Sequence, residues 1–281
     1  MLSLIICSRN HDISDALKQN IKVTIGVEYE LIVIDNSQSK YSIFSAYNEG
    51  VRRAKYPYLC FMHEDILYQT IDWGAKVVAY LQDEKVGLIG VIGTHFITKD
   101  PCGWTDTGLT SGQTVSINEH YCNLSRFGNK KFVEAVATDG LWQCMRRSLF
   151  DLIRFDDKTF DGFHCYDLDI CLQVRSIHKQ VLIISDILIN HNSNGNWGTS
   201  WVKNTYKLYK KWGNELPQIA GVELSPEEIK IRTELAHNTF AWIIEYTKIR
   251  DELNRVLSSK AYKLGKTLLA PFRAIKNNKK T

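Results

Sequence analysis

The stretch "YPYLCFMHEDILYQT", Tyr56–Thr70, decides how the fold is read. Tyr58 to Met62 is almost wholly apolar, as befits a strand buried on both faces. His63, Glu64 and Asp65 then arrive together, and apolar residues resume at Ile66. In open α/β sheets ligands gather outside the carboxyl ends of the strands, so the cluster marks a candidate site. The competing reading is a solvated turn with an acidic start to the next element.

Working outward, the same pattern recurs. "LSLIICS" (2–8) and "YELIVIDNSQS" (29–39) are apolar, β-branched runs that end in polar residues: Ser8, Arg9 and Asn10 in one, Asp35, Asn36 and Ser37 in the other. Between the strands, residues 12–20 and "SIFSAYNEGVRRAK" (42–55) carry helical spacing, as does "DWGAKVVAYLQD" (72–83) ahead of the strand "KVGLIGVIG" (85–93). Strands alternating with helices predict a doubly wound, mostly parallel α/β sheet with right-handed crossovers. The rhythm breaks from Thr94 to Lys131, a turn-rich stretch expected to form a functional loop or lid. Strand, loop and helix pieces follow over 132–179, then the strand "VLIIS" (181–185) and the polar loop "NHNSNGNWGTSW" (190–201). From Thr199 the chain reads as helices, with Ser225, Pro226 and Glu228 forming a start signal.

The 281 residues, 44% hydrophobic and 23% charged, fit one large globular domain with appendages. Seven cysteines, with no C-x-x-C pair, read as reduced thiols. No basic n-region precedes the first strand, and no run reaches the roughly 18 apolar residues of a membrane-spanning helix. A cytoplasmic protein is expected. The net charge of +4 belongs to the C-terminal end: Arg255, Lys260, Lys263, Lys266, Arg273, Lys276, Lys279 and Lys280 follow the last acidic residue, Glu252.

In a parallel sheet the three polar strand ends share one edge. That edge offers a carboxylate and amides for a nucleobase and ribose, and a carboxylate for a divalent metal. No G-x-G-x-x-G or P-loop pattern is present, which argues against dinucleotide or P-loop binding. A phosphate ligand here requires metal rather than a glycine-rich loop.

These residues resemble the GT-A nucleotide-sugar glycosyltransferases of the family-2 type. "LSLIICSRN" and "ELIVIDNSQS" look like that family's first two strands, the second bearing the aspartate that contacts the base. "AYNEGVRRAKYPYLCFMHED" is similar to its Asn-x-Gly helix and the strand ending in an Asp-x-Asp metal motif, "FDGFHCYDLDICLQV" to its later acidic segment, and "INHNSNGNW" to its late histidine loop. The resemblance spans roughly residues 1–200. It implies a GT-A (Rossmann-like) fold and a metal-dependent transfer of sugar from a nucleoside diphosphate sugar, with Mn²⁺ or Mg²⁺ as cofactor. It also implies donor contacts at Ser8, Arg9, Asp35, Asn48, His63, Glu64 and Asp65, and a metal shell containing Asp65 and His191.

One departure stands out. His63 occupies the first aspartate position of the metal motif, giving the His-Glu-Asp variant that resembles a bacterial subgroup. His63 is then expected at ribose or phosphate, and Glu64, at strand periodicity, faces the other way. Inverting transfer needs a carboxylate base for the acceptor hydroxyl; Asp167, Asp169 and Asp139 are candidates. The family's Glu-Asp pair aligns with Tyr166-Asp167, which selects Asp167, while Asp161 reads as a turn residue. Trp142 stands either as a sugar platform or as a core side chain, and Arg146 and Arg147 as phosphate contacts or exposed charges.

The expected organisation is a GT-A domain over 1–215, a C-terminal helical extension over 216–258 and a basic amphipathic tail over 259–281. The tail carries Tyr262, Leu264, Leu268, Leu269, Phe272 and Ile275 among lysines, which suits an interfacial helix on anionic lipid, a solvated tail or a helix packed on a partner. A lipid-linked glycan acceptor at the inner face of the cytoplasmic membrane agrees with the first of these. Nucleic acid is a poor partner, because the body lacks a basic face. Two rival functions remain open: a sugar-nucleotide pyrophosphorylase, and a catalytically silent carbohydrate-binding or scaffold protein.

Overall fold

The computed structural model describes residues 1–116, 121–123, 130–191 and 197–277. In chain order its elements are β1 (Leu2–Ser8), α1 (Asp15–Thr24), β2 (Tyr29–Asp35), α2 (Ile43–Arg53), β3 (Tyr58–Met62), β4 (Ile66–Tyr68), α3 (Trp73–Leu81), β5 (Val86–Gly90), β6 (Ile92–Thr94) and β7 (Phe96–Ile97). There follow β8 (Thr110–Ser116), β9 (Tyr121–Asn123), β10 (Phe132–Ala135), β11 (Ala137–Thr138), β12 (Trp142–Arg146), a 3-10 turn (Arg147–Asp151), α4 (Tyr166–Ser176), β13 (Gln180–Ile184) and β14 (Ile189–His191). α5 (Thr199–Trp212), β15 (Gln218–Ile219), α6 (Pro226–Ser258) and α7 (Lys260–Asn277) complete the chain.

A seven-stranded sheet runs β10-β13-β5-β12-β3-β1-β2. Its β2, β1 and β3 are mutually parallel, as are β5 and β13, while β12 runs antiparallel between β3 and β5 and β10 antiparallel on β13. The sheet is therefore mostly parallel, as the alternating pattern predicts. Side-chain alternation along β1 sends Leu4 and Ile6 into one core with Trp73 and Trp142, and Ile5 into the opposite core with Phe44, Tyr47 and Phe61. Both faces are thus covered, which explains the unbroken apolar strands.

The helices start where polar side chains can accept their first amides. Ser14 accepts from Leu17 N and Ser42 from Ser45 N, each at 3.2 Å. The Asn-x-Gly pair on α2 has a packing logic. A Cβ on Gly50 would come within 2.2 Å of Ile5 Cγ2, so only glycine lets α2 lie this close to β1.

The long excursion after Thr94 differs from expectation. Its described part contains strands, of which β8 and β9 join a second sheet of order β11-β6-β8-β14-β4 with β9 paired to β8, while 98–109 form turns. Residues 117–120 and 124–129 lie outside the described residues. The period-2 signal was hidden because β6 and β7 are buried on both faces and so do not alternate. Further on, β15 pairs antiparallel with β7 and ties residues 218–219 to the body. The start of α6 forms the predicted capping box, with Glu228 N donating to Ser225 Oγ at 3.2 Å and Ser225 N to Glu228 Oε2 at 2.9 Å. Among the described residues no helix is long and apolar enough to cross a membrane.

Candidate active site at the carboxyl edge of the sheet

The parallel register brings the polar strand ends together. Ser8 pairs with Asp35 at the ends of β1 and β2. The Ser8 hydroxyl donates to Glu64 Oε2, and Arg9 N donates to Glu64 Oε1 at 3.1 Å, which fastens the end of β3 to that of β1. Glu64 is thus turned toward β1, away from Asp65. Asp35 accepts from Ser37 N at 2.9 Å and lies 2.7 Å from His11 Nδ1. The Ser37 amide first, and His11 second, hold its carboxyl down at about 2. His11 carried no signal in the sequence reading; only the fold brings it to Asp35.

The second sheet delivers the late histidine. β14 pairs antiparallel with β4, and His191 falls opposite Ile66, one residue beyond Asp65. His191 Nε2 lies 3.7 Å from Asp65 Oδ1, and His63 Nδ1 lies 3.9 Å from the same oxygen. One donor atom from each of His63, Asp65 and His191 lies within 4.8 Å of the others. Two ligands each about 2.1 Å from one ion sit roughly 3–4.2 Å apart; both separations from Asp65 Oδ1 lie in that range, and a small rotation of the rings would bring two imidazole nitrogens and a carboxylate oxygen onto one divalent ion. The remainder of the late histidine loop, 192–196, lies outside the described residues.

His63 is oriented by the protein itself. Its Nε2 lies 2.8 Å from Tyr166 Oη, which itself donates to Gly140 O at 3.0 Å. The phenol has one proton, and a carbonyl can only accept. The Tyr166 proton therefore goes to Gly140, the Tyr166 oxygen accepts from His63 Nε2–H, and the Nδ1 lone pair of His63 is left on the Asp65 side. Desolvation lowers the His63 pKa, against the pull of Asp139, which keeps the ring neutral.

Gly140 is a hub. Its N–H donates to Asp167 Oδ2 at 3.2 Å while its carbonyl accepts from Tyr166. His63 N donates to the next carbonyl, Leu141 O, at 3.0 Å. A Cβ on residue 140 would stand 2.2 Å from Tyr166 Oη. Asp167 sits in the first turn of α4, partly exposed, and its carboxyl is pushed up to about 7 by desolvation and then by the charge of Asp139, against backbone hydrogen bonds that lower it. Asp139 is tied to Leu141 N at 2.8 Å.

Other expectations are corrected. Asp169 is 1% exposed and held by Lys211 at 2.8 Å, Trp212 Nε1 at 2.7 Å and Gln173 at 2.7 Å, so it is a structural anchor with no path to substrate. Two residues along a helix point in different directions, and here Asp167 faces the site while Asp169 faces the core. Trp142 is fully buried, donates from Nε1 to Tyr68 Oη at 3.0 Å and packs edge-on against Trp73. It cannot serve as a sugar platform. Asn48 does not reach the strand edge: its amide donates to Phe155 O at 2.8 Å and accepts from Phe155 N at 3.2 Å, pinning that loop to α2. Arg146 donates to Leu81 O and Asp83 O, at 2.9 and 2.8 Å, and to Glu84 O, capping the end of α3 rather than facing phosphate. Asp161 pairs with Lys207 at 3.1 Å, in keeping with a turn residue.

Comparison with curated proteins finds no match. Residues 3–212 match the family described as "Glycosyltransferase like family". Among solved structures, that of GalNAc-T7 with UDP, GalNAc and Mn²⁺ is similar at a TM-score of 0.52 and 13% identity, over 87% of this chain and 56% of that one. Staphylococcus aureus TarS 1-349 is similar at 0.50 and 11% identity, over 75% of this chain and 64% of that one. This chain therefore spans less than two thirds of either. At these identities the likeness speaks for the fold, which is GT-A.

Proposed function

Because the chain belongs to the glycosyltransferase-like family, we propose that it moves a sugar, with inversion, from a nucleoside diphosphate sugar to a hydroxyl of a glycan or lipid-linked acceptor. The observation that carries this reading is the His63–Asp65–His191 cluster on the same strand edge as Asp35. Asp35, ionised well below neutrality, receives the base or ribose hydroxyls, with Ser8 and Arg9 lining the same edge. The three clustered residues hold the ion. A carboxylate paired with two imidazoles suits Mn²⁺ better than Mg²⁺, which prefers oxygen ligands. When bound, such an ion supplies Lewis-acid neutralisation of the departing diphosphate.

Asp167 is the proposed base. A carboxyl poised at about 7 is half-ionised near neutral pH and binds a proton more tightly than an ordinary aspartate. It takes the acceptor hydroxyl proton as that oxygen attacks the anomeric carbon; the bond to the diphosphate oxygen breaks, and the electron pair leaves with the diphosphate. The sugar passes through oxocarbenium character, as in glycoside hydrolysis.

The basic tail over 259–281 is proposed to rest on the inner face of the cytoplasmic membrane, near a lipid-linked acceptor. Tyr262, Leu264 and Leu268 are exposed on α7 among Lys260, Lys263 and Lys266, and each such charge contributes about 1 kcal/mol at an anionic surface. Co-flotation with phosphatidylglycerol vesicles, lost on truncation after residue 258, tests this part alone. Calorimetry with UDP, GDP and dTDP, each with and without Mn²⁺, tests the whole. Metal-dependent binding with donor hydrolysis is expected. Silence toward every nucleotide overturns the enzyme reading in favour of a scaffold protein.

A further inference from the structure

Helix α6 has two faces, and among the described residues only one is packed. Ala236, Phe240, Ile243 and Thr247 are buried, and Phe240 meets Trp201 and Tyr206 of α5 at ring distances of 5.6 and 5.5 Å. A second apolar stripe stands in solvent: Leu235, Trp242, Tyr246, Ile249, Leu253 and Val256, with Trp242 63% and Ile249 68% exposed.

The spacing of the second stripe is specific. With Thr239 it advances 235, 239, 242, 246, 249, 253, 256, an unbroken four-three alternation. That is the 3.5-residue period of a coiled-coil seam rather than the 3.6-residue drift of a helix packed on a globular body. On a helical wheel these residues fall within a sector of about 100°, turned about 120° from the buried face. They run along about 33 Å of helix. A contiguous apolar strip of this kind is rare on a monomer surface unless it binds something.

We propose that this face of α6 is a self-association surface, on which α6 of a second copy of this chain packs in parallel as a coiled coil. The flanking charges choose this occupant. With Thr239, Tyr246 and Leu253 at the a positions and Leu235, Trp242, Ile249 and Val256 at d, the g positions hold Asn238, Glu245 and Glu252, and the e positions Ile243, Arg250 and Leu257. In a parallel pair each g residue faces the e residue five places on in the partner. Glu245 then meets Arg250 twice by symmetry, Arg250 being already held in place by Trp197 O at 2.7 Å. An antiparallel pair would instead set glutamates Glu245 and Glu252 against each other. A lipid surface fits less well, because these acidic flanks stand where a membrane-lying helix carries lysine and arginine. A parallel pair places both sheet edges at the same end of the assembly, so two sites would work side by side.

Light scattering on the full chain tests this. The expected mass is at least twice the 32.3 kDa of one chain, and Trp242→Glu/Ile249→Glu should reduce it to one chain with an unchanged far-UV dichroism spectrum. Leu253→Cys, at an a position, should give a disulfide-linked pair on oxidation. A wild-type chain that stays monomeric to its solubility limit overturns the proposal, as does a double variant that still associates. An oligomer in which Leu253→Cys fails to cross-link overturns the parallel arrangement. Flotation of a monomeric wild-type chain with phosphatidylglycerol vesicles, abolished in the double variant, would reassign the face to lipid and equally overturn it.

Discussion

Replacing Tyr166 by Phe removes one oxygen from a packed aromatic core and should be felt at the ion site. The phenol accepts from His63 Nε2–H at 2.8 Å and donates to Gly140 O at 3.0 Å. Both partners then lack a mate. Each lost hydrogen bond is worth about 0.5–1.5 kcal/mol net, and a buried group left unsatisfied about 1–3 kcal/mol. The variant should therefore unfold with a stability lower by about 1–3 kcal/mol, the ring itself still packing on Phe44 and Tyr47. The larger consequence is at the tautomer. Without the phenol nothing holds the His63 proton on Nε2; moved to Nδ1 it points toward Asp65, 3.9 Å away, and occupies the lone pair an ion requires. Loss of such outer partners weakens metal affinity by roughly 10–100-fold, or about 1.4–2.7 kcal/mol. Titration of Mn²⁺ by calorimetry or electron paramagnetic resonance reads the affinity, and ¹⁵N chemical shifts of the imidazole in metal-free protein read the tautomer. An Nε2-protonated ring in wild type and a mixture in Tyr166→Phe is expected. Unchanged metal affinity, with unchanged ¹⁵N shifts, would refute the idea that Tyr166 orients a ligand.

The raised Asp167 carboxyl makes its own contribution to pH dependence. The folded state holds this proton more tightly than the unfolded chain, so the stabilisation is full below the ordinary carboxyl range and is lost as pH rises through about 7. Asp167→Asn, which mimics the protonated form, should gain melting temperature relative to wild type between pH 4 and pH 8; a constant difference across that range would contradict the assignment. The same variant should lose transfer while keeping donor affinity, measured by calorimetry beside a turnover assay, and wild-type transfer should climb with pH toward 7. Asp169→Ala strips the buried partner of Lys211 and Trp212 and should cost about 3–5 kcal/mol in urea unfolding with no change in Mn²⁺ affinity; altered affinity at intact stability would return Asp169 to the site. Trp142→Phe should lower stability by about 0.5–1.5 kcal/mol through the lost indole hydrogen bond to Tyr68, whose hydroxyl still donates to Met62 Sδ, and leave donor and acceptor binding untouched, whereas weakened sugar binding would restore it as a platform.

What the sequence made legible followed from local chemistry. Three apolar runs with polar ends, alternating with helical segments, pointed to parallel strands sharing an edge, so Ser8, Asp35 and Asp65 were readable together. His63 was readable as a site residue but not as a member of the cluster with Asp65 and His191, because its ring orientation depends on Tyr166, 103 residues away in the chain. His191 reached the cluster through the β4–β14 pairing, which no local pattern specifies. Trp142 and Asn48 misled for a shared reason: an indole or an amide has the same identity whether its polar atoms face a ligand or the protein's own backbone, and only tertiary contacts decide. The stretch after Thr94 lacked alternation because strands covered on both faces have none to show.

The backbone at Gly140 gives the protein an economy of parts with a penalty attached. Two peptide planes meet at the Gly140 Cα: the amide of one steadies the carboxylate that would accept a proton, and the carbonyl of the next steadies the phenol hydrogen-bonded to His63. The proposed ion site and the proposed base therefore hinge on the backbone of a single residue, and a change in its φ or ψ would be felt by both at once. Evolution or engineering can retune either half by changing the side chains around it, but a methyl group at residue 140 would throw the two out of alignment in a single stroke.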